Sequence, residues 1–364
     1  MNKIKAFLAR KGIVCSFRQY GVDALGAMAQ GLFCTLLVGT ILNTLGQQLH
    51  IGFLTAPVVS VGTVSYTVGG LASAMVGPGI AVAIGTALHC PPLVLFSLIP
   101  VGFAANAMGG AGGPLAVYAV TIIAAELGKL VSKETRIDIL VTPCVTVIAG
   151  IAVAQLIAAP IGTAARAVGL AIMWATELQP FFMGLLVSAL IGIALTLPIS
   201  SAAICAAFGL TGLAGGAAVA GCCAQMVGFA VMSFKENRWG GLVAQGVGTS
   251  MLQMPNILKN PRIWIPPTLA SMITGPLATC VFKLQMNGSP VSSGMGTCGF
   301  VGQIGVYTGW VSDIAAGTKA AITPMDWIGL VLICFILPAV LSTLFCRVLE
   351  KRGWIREGDM KLDL

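Results

Sequence analysis

Along most of the chain, long apolar runs alternate with short clusters of Gly, Pro, Asn and Gln, in the first half as in the second. A hydrocarbon core of about 30 Å takes roughly 20 apolar residues in helical form. Windows such as residues 24–45 and 181–197 onward meet that requirement. The pattern predicts an all-α polytopic membrane protein with about ten transmembrane helices. Residues 51–88 and 201–234 are too long for one straight helix and too short for two generous ones, so each is expected as two short helices or a re-entrant hairpin.

Composition sharpens this picture: of 364 residues, 57% are hydrophobic and 9% charged, with mean hydropathy +0.95, which leaves no room for a soluble domain of ordinary composition. The net charge of +8 sits mainly at the two ends and in short loops, without aromatic-interleaved basic surface, so nucleic-acid binding is not expected. Lys3, Lys5, Arg10, Lys11 and Arg18 precede the first span, and Arg347, Lys351, Arg352 and Arg356 follow the last. This distribution predicts cytoplasmic N- and C-termini. Residues 4–20 alternate basic and apolar side chains, as either an interfacial amphipathic helix or a plain topology anchor, and lack the pattern of a cleaved signal peptide. The eleven cysteines lie mostly within apolar runs and form neither a CxxC pair nor a Cys/His cluster, so they read as small packing residues.

A faint internal repeat is legible. GLFCTLLVGTIL from Gly31 matches GLLVSALIGIAL from Gly184, and GGLASAMVGPGIAV from Gly69 resembles GGAAVAGCCAQMVG from Gly215, in the same order. The expected organisation is a basic interfacial segment (1–22), a first membrane repeat (23–160), a second (161–346) that contains a Gly/Ser-rich loop, and a cytoplasmic tail (347–364). Transporter folds often place their substrate between such halves.

The breaks carry the candidate chemistry. Residues 106–114 read NAMGGAGGP, and Pro114 suits the first position of a new helix. Asn106, Gly110 and Gly113 then belong either to an unwound stretch whose half-helix end binds oxygen ligands or to a tight interhelical turn. Residues 287–303, NGSPVSSGMGTCGFVGQ, combine five glycines, three serines, a threonine and two carboxamides. Non-helical backbone at membrane depth must be buried in protein or line a water-filled cavity. Asn287, Ser292, Ser293, Gly296, Thr297 and Gln303 are the substrate-binding candidates there. Glu177, just before an apolar run, is a further candidate, because a carboxylate near a span is costly unless paired or hydrated; its plainer role is an interfacial helix start. Asn43, Gln155, Gln225, Gln245 and Gln253 either face a pathway or bond neighbouring helices. Nucleophile triads, phosphate loops and metal clusters are missing from the sequence, so no cofactor and no autonomous enzyme are expected.

TELQPFFMG from Thr176, LTLPISSAA from Leu195 and above all SGMGTCGFVGQIG from Ser293 give the chain a family resemblance over essentially its whole length. It resembles the IIC-type membrane family of the bacterial phosphotransferase system that includes the perfringolysin O regulator-like proteins. The resemblance implies a bacterial inner-membrane protein of the sugar-permease class, a homodimer, with a cytoplasmic IIB-type component supplying phosphate. No IIA or IIB segment is present in this sequence, so any phosphoryl donor is expected to be a separate protein. The glutamate-proline motif of glucose-type permeases has only a loose counterpart, since Leu178 and Gln179 separate Glu177 from Pro180.

The expected function is transport of a small polar solute, such as a sugar, through membrane lipid. The alternatives are a membrane sensor or regulator that binds its ligand without transporting it, and a transporter of a non-sugar substrate.

Overall fold

The computed structural model describes residues 3–14 and 16–362; Cys15 and the outermost residues of segments 1–22 and 347–364 lie outside the described residues. The chain divides into two compact units, Met1–Ala164 and Ala165–Leu364. Among the described residues, five helical stretches are by length and composition apolar enough to cross a membrane, or six if a helix pair bent by 53° counts as one. The ten expected spans are not all present as long continuous helices, because several apolar runs are cut by Pro, Gly and π-turns into pieces such as the 17-residue helix Pro180–Thr196.

In the first unit, α1 (Lys3–Arg10) is followed by α2 (Arg18–Gln48), a 31-residue stretch containing two π-turns. Thr35, Thr40 and Thr44 donate to carbonyls four residues back at 2.8–2.9 Å, which satisfies their hydroxyls within the helix itself. A two-stranded hairpin unseen in the sequence pattern, Val59–Val61 with Val64–Tyr66, turns at Gly62, whose φ of +60° favours glycine. It leads into α3 (Val68–Ala74) and α4 (Val76–Ala87), the bent pair. Thr67 caps α3 by accepting from the Gly70 N–H at 3.0 Å and donates to Asn43 at 2.7 Å, so Asn43 joins α2 to the α3 start.

α5 (Pro92–Gly109) and α6 (Gly113–Val131) form an antiparallel hairpin: a Cβ on Gly128, near the end of α6, would lie 2.8 Å from Val94, near the start of α5. Their 18 and 19 residues correspond to roughly 27–29 Å each, close to the bilayer core. α7 (Asp138–Thr176) begins in this unit, where its Gly150 lies against Val101 of α5 and Ala124 of α6.

The second unit is built on α9 (Gly212–Met232), which is almost wholly buried. α8 (Pro180–Thr196), α10 (Ile265–Pro276) and α12 (Pro324–Lys351) pack around it. Apolar side chains gain little by leaving lipid for protein, so helices associate through close packing and hydrogen bonds. The small residues Gly184, Ser188 and Gly192 line one face of α8 at four-residue spacing. A Cβ on Gly184 would stand 2.8 Å from the Gly275 carbonyl of α10, and one on Gly192 2.8 Å from the Gly221 carbonyl of α9. Ser188 donates to the Ser271 carbonyl at 2.7 Å.

Buried amides complete this core. Gln225 accepts from Trp264 at 3.0 Å and Thr196 at 3.3 Å, and donates to Thr268 at 3.2 Å. Gln245 donates to Ser233, and Gln253 donates both to Gln245 and to the Met360 carbonyl, each at 2.9 Å. These glutamines therefore bond neighbouring segments. The C-terminal stretch is tied to the same network: the N–H groups of Gly358 and Met360 donate to the two Glu236 oxygens at 3.0 Å, and Asn237 bonds the Met360 carbonyl and the Leu362 N–H at 2.8 Å. Asn256 adds the Lys361 carbonyl at 2.8 Å.

Gly221→Ala would push a Cβ into the Ser188 carbonyl. It is expected to cost about 1–3 kcal/mol and to lower the thermal midpoint in detergent, whereas Gly52→Ala, which meets open space, leaves it in place. Equal midpoints would contradict the close α8–α9 approach. Glu236→Ala removes two charge-assisted hydrogen bonds from the C-terminal stretch and is expected to speed tryptic cleavage after Arg356 by about tenfold or more. An unchanged cleavage rate would show that these bonds do not hold the stretch down.

Candidate functional site

After α10 the chain leaves helical form through a π-turn, Leu277–Val281, and runs extended along α9. Met286 and Gly212 exchange both backbone hydrogen bonds at 3.0 Å, and a Cβ on Gly216 would collide with the Leu284 carbonyl. Only glycine there lets the two backbones touch. Side chains of an extended segment alternate between faces. Leu284 and Met286 are accordingly buried against α9, while Gln285 and Asn287 line a cavity of about 520 Å³, which Lys283, in a left-handed turn at φ +46°, also lines.

The glycine-rich break continues as a wedge on the same helix. One turn, Pro290–Ser293, is followed by Gly296 and Gly299 at φ of +54° and +50°, conformations that glycine adopts without strain. Gly296 lies against Cys222 and Cys223, its carbonyl accepts from the Gly302 N–H at 3.0 Å, and α11 (Val301–Ala315) then begins. Ser293 donates to the Leu210 carbonyl at 2.6 Å, Ser201 to the Gly294 carbonyl at 2.7 Å, and Thr297 reaches the Met226 sulfur at 3.5 Å. Ser292 is buried beside Gly305. The wedge thus satisfies its irregular backbone inside protein, one of the two conditions for such a segment at membrane depth. Gln303 donates to the Cys223 sulfur at 3.2 Å, while its buried side-chain carbonyl oxygen has no hydrogen-bond partner among the described residues.

The cavity beside this wedge is completed by Trp310 and Asp313 of α11, Phe282, Thr318, Lys319 and Asp326. Asn287 donates to Asp313 at 2.8 Å and to Gln285 at 3.2 Å; Lys319 pairs with Asp326 at 2.9 Å and stands 5.8 Å from the Trp310 ring centre. Asp326 is held in turn by a capping box with Thr323. Two lysines and two aspartates give the lining a balanced charge, and its carboxylate, amide and indole groups offer acceptors, donors and an apolar face together. That combination suits a neutral polyhydroxylated solute better than an anion.

Of the residues singled out in sequence, Asn287, Ser292, Ser293, Gly296, Thr297 and Gln303 come together in the wedge, and Asn287 alone among them lines the cavity. Asn106, Gly110 and Gly113 come together separately in the α5–α6 turn of the first unit: Gly113 packs on Asn106, and Gly110 is exposed at φ +52°. This is the tight interhelical turn, because α5 and α6 fold back on each other. Glu177 is exposed in the turn before α8, without a side-chain hydrogen bond or ion pair among the described residues. Three residues later the Pro180 carbonyl accepts from Thr279 at 2.7 Å, which ties the α8 start to the segment that continues into Phe282 and Lys283.

Sequence reasoning missed Gln285, Trp310, Asp313, Lys319 and Asp326. A usable signal existed: Trp310 and Asp313 are three apart on one helix and therefore neighbours on its surface, a pairing of indole and carboxylate in a chain with few charges.

No curated protein and no solved structure matches the chain. The family described as "Phosphotransferase system, EIIC" matches residues 22–362. Its members are membrane transport components, and the apolar helices of this chain are those of a multi-pass membrane protein. The chain belongs to the EIIC family of the phosphotransferase system.

Proposed function

We propose that this EIIC-type transporter carries a small neutral polyhydroxylated solute, a sugar or a close analogue, and that the cavity flanked by Asn287, Trp310 and Asp313 is where the solute binds in the second unit. The observation that carries this reading is the charge-balanced lining, with the Asn287–Asp313 and Lys319–Asp326 pairs set around an indole face at the edge of the glycine-rich wedge. Hydroxyls of the solute would exchange places with these internal partners, so binding replaces hydrogen bonds already made and leaves no buried polar group unpaired. Trp310, buried and with the Lys319 ammonium 5.8 Å from its ring centre, backs the cavity with an apolar wall. Glu177 contributes a second contact in the same proposal, since its carboxylate keeps its full capacity to accept hydroxyls. Asn106, Gly110 and Gly113 are proposed as a further polar contact in the first unit, and the phosphoryl donor as a separate IIB-type protein. The proposed setting is the bacterial inner membrane, with cytoplasmic termini and a homodimeric assembly.

The test is counterflow of a labelled sugar panel into proteoliposomes containing only this chain. Saturable exchange of one sugar is expected. Asp313→Asn and Glu177→Gln are each expected to raise its half-saturation concentration by about tenfold, the loss of one charge-assisted hydrogen bond, without reducing the protein inserted. Unchanged half-saturation in Asp313→Asn would remove the cavity from the pathway, and unchanged half-saturation in Glu177→Gln would remove that residue alone. Tight binding without exchange would favour a sensor, or a carrier that needs its phosphoryl-donor partner, over a carrier that works alone.

A further inference from the structure

A second cavity, of about 400 Å³, lies in the first unit, lined by Arg10, Lys11, Pro91, Lys129, Ser132, Lys133 and Glu134. Four of its seven lining residues are cations, in a chain with only 9% charged residues. Two are withdrawn from solvent: the Lys11 side chain is 8% exposed and that of Lys129 1%. Burying an ammonium is costly unless it is paired, and each of these is paired once. Lys129 bonds Glu126 at 3.2 Å, behind the wall. Lys11 bonds Glu134 and the Ser132 carbonyl.

Glu134 is the weak member of this set. It is an exposed carboxylate on a loop, and one oxygen serves both Lys11 and Arg10, the latter at 3.0 Å. The Lys11 hydrogen bond, with the Lys11 and Arg10 charges behind it, holds its carboxyl below the usual carboxylate range, so it is ionised at neutral pH. Lys133 forms no ion pair among the described residues. One oxygen of the nearby Asp138 carboxylate accepts from the Lys133 N–H at 2.7 Å and the Thr142 hydroxyl at 2.6 Å, and Asp138 forms no ion pair among the described residues. A single exposed carboxylate therefore stands among Arg10, Lys11 and Lys133, with the buried Lys129 completing the lining.

We propose that this cavity is a binding site for a phosphate group, which displaces Glu134 and takes Lys11, Arg10 and Lys133 as its partners. A phosphate carries more charge than a carboxylate and offers three acceptor oxygens, enough for each cation to hold its own. Lys129 supplies field from below without leaving Glu126. The same chemistry is presented by a soluble phosphate compound and by the headgroup of an anionic lipid, and the site reads the group they share. This site is independent of the solute cavity and does not rest on the sugar reading.

The experiment titrates purified full-length protein in neutral detergent with inorganic phosphate by calorimetry. In parallel it compares the protein's thermal midpoint in phosphatidylcholine nanodiscs with and without phosphatidic acid. Lys11→Gln is expected to weaken the response by about tenfold or more, and Glu134→Gln to strengthen it severalfold, since it removes the internal competitor. These opposite signs cannot both come from damaged folding. If Lys11→Gln fails to fold, Lys133→Gln, which breaks no ion pair, is expected to weaken the response in its place. A response to inorganic phosphate with this ordering identifies a soluble ligand, and a response to phosphatidic acid alone identifies a lipid; both uphold the site. No response to either probe, or equal responses in the wild type, Lys11→Gln and Glu134→Gln, overturns it.

Discussion

Direct backbone contact with one buried helix is the constraint on which the second unit depends. α9 is enclosed on almost every side, and its glycines at 215, 216, 221 and 228 face, in turn, the wedge, the Leu284 carbonyl, the Ser188 carbonyl and Ser342. A helix with larger side chains could be equally apolar and still fail here, because the neighbours would stand off by a methyl group or more. Inside lipid that loss is not recovered by the hydrophobic effect, since the tails solvate apolar surface as well as protein does. Packing and hydrogen bonds have to do the work, and the buried amide of Gln225, with all three of its bonds made to other segments, is the polar half of the same solution.

From that contact the candidate site follows. Because Leu284 and Met286 are drawn onto α9, the alternate residues Gln285 and Asn287 turn toward the cavity, where α11 meets them with Trp310 and Asp313. The wedge that follows is irregular but not loose: its Ser293 and Thr297 hydroxyls go to the Leu210 carbonyl and the Met226 sulfur, and Ser201 donates back to its Gly294 carbonyl. Ser293 and Thr297 of the glycine-rich break therefore hold the cavity's wall in position, and the cavity is lined by Asn287 at the start of the break and by Trp310 and Asp313 of the helix after it. Rigid support beneath a few polar groups is what precise recognition requires.

Much of this was legible in the sequence. Apolar runs with few charges allow only a helical membrane protein, and the density of glycine with hydroxyl residues at 287–303 marked non-helical backbone that must be buried or line a cavity. The motif at 106–114 left two geometries open, because Gly-rich restarts and tight turns share one composition; only the contact of Val94 with Gly128 decides for the turn. Residues that depend on distant partners were illegible. Asp313 reads as an ordinary helix-end acid until Asn287, far upstream, is placed against it, and Glu236 reads as a loop carboxylate until the N–H groups of Gly358 and Met360 arrive. The short hairpin at 59–66 was hidden inside an apolar stretch that periodicity alone could not divide.

The most direct measurement of the central claim is hydrogen exchange by mass spectrometry, on protein in nanodiscs, with and without saturating amounts of the sugar that shows exchange. Slower exchange is expected in peptides covering residues 282–319, where the wedge ends and α11 surround the cavity. Unchanged exchange there, with protection gained only in peptides around residues 106–131 of the first unit, would contradict the account and move the binding site to the α5–α6 turn.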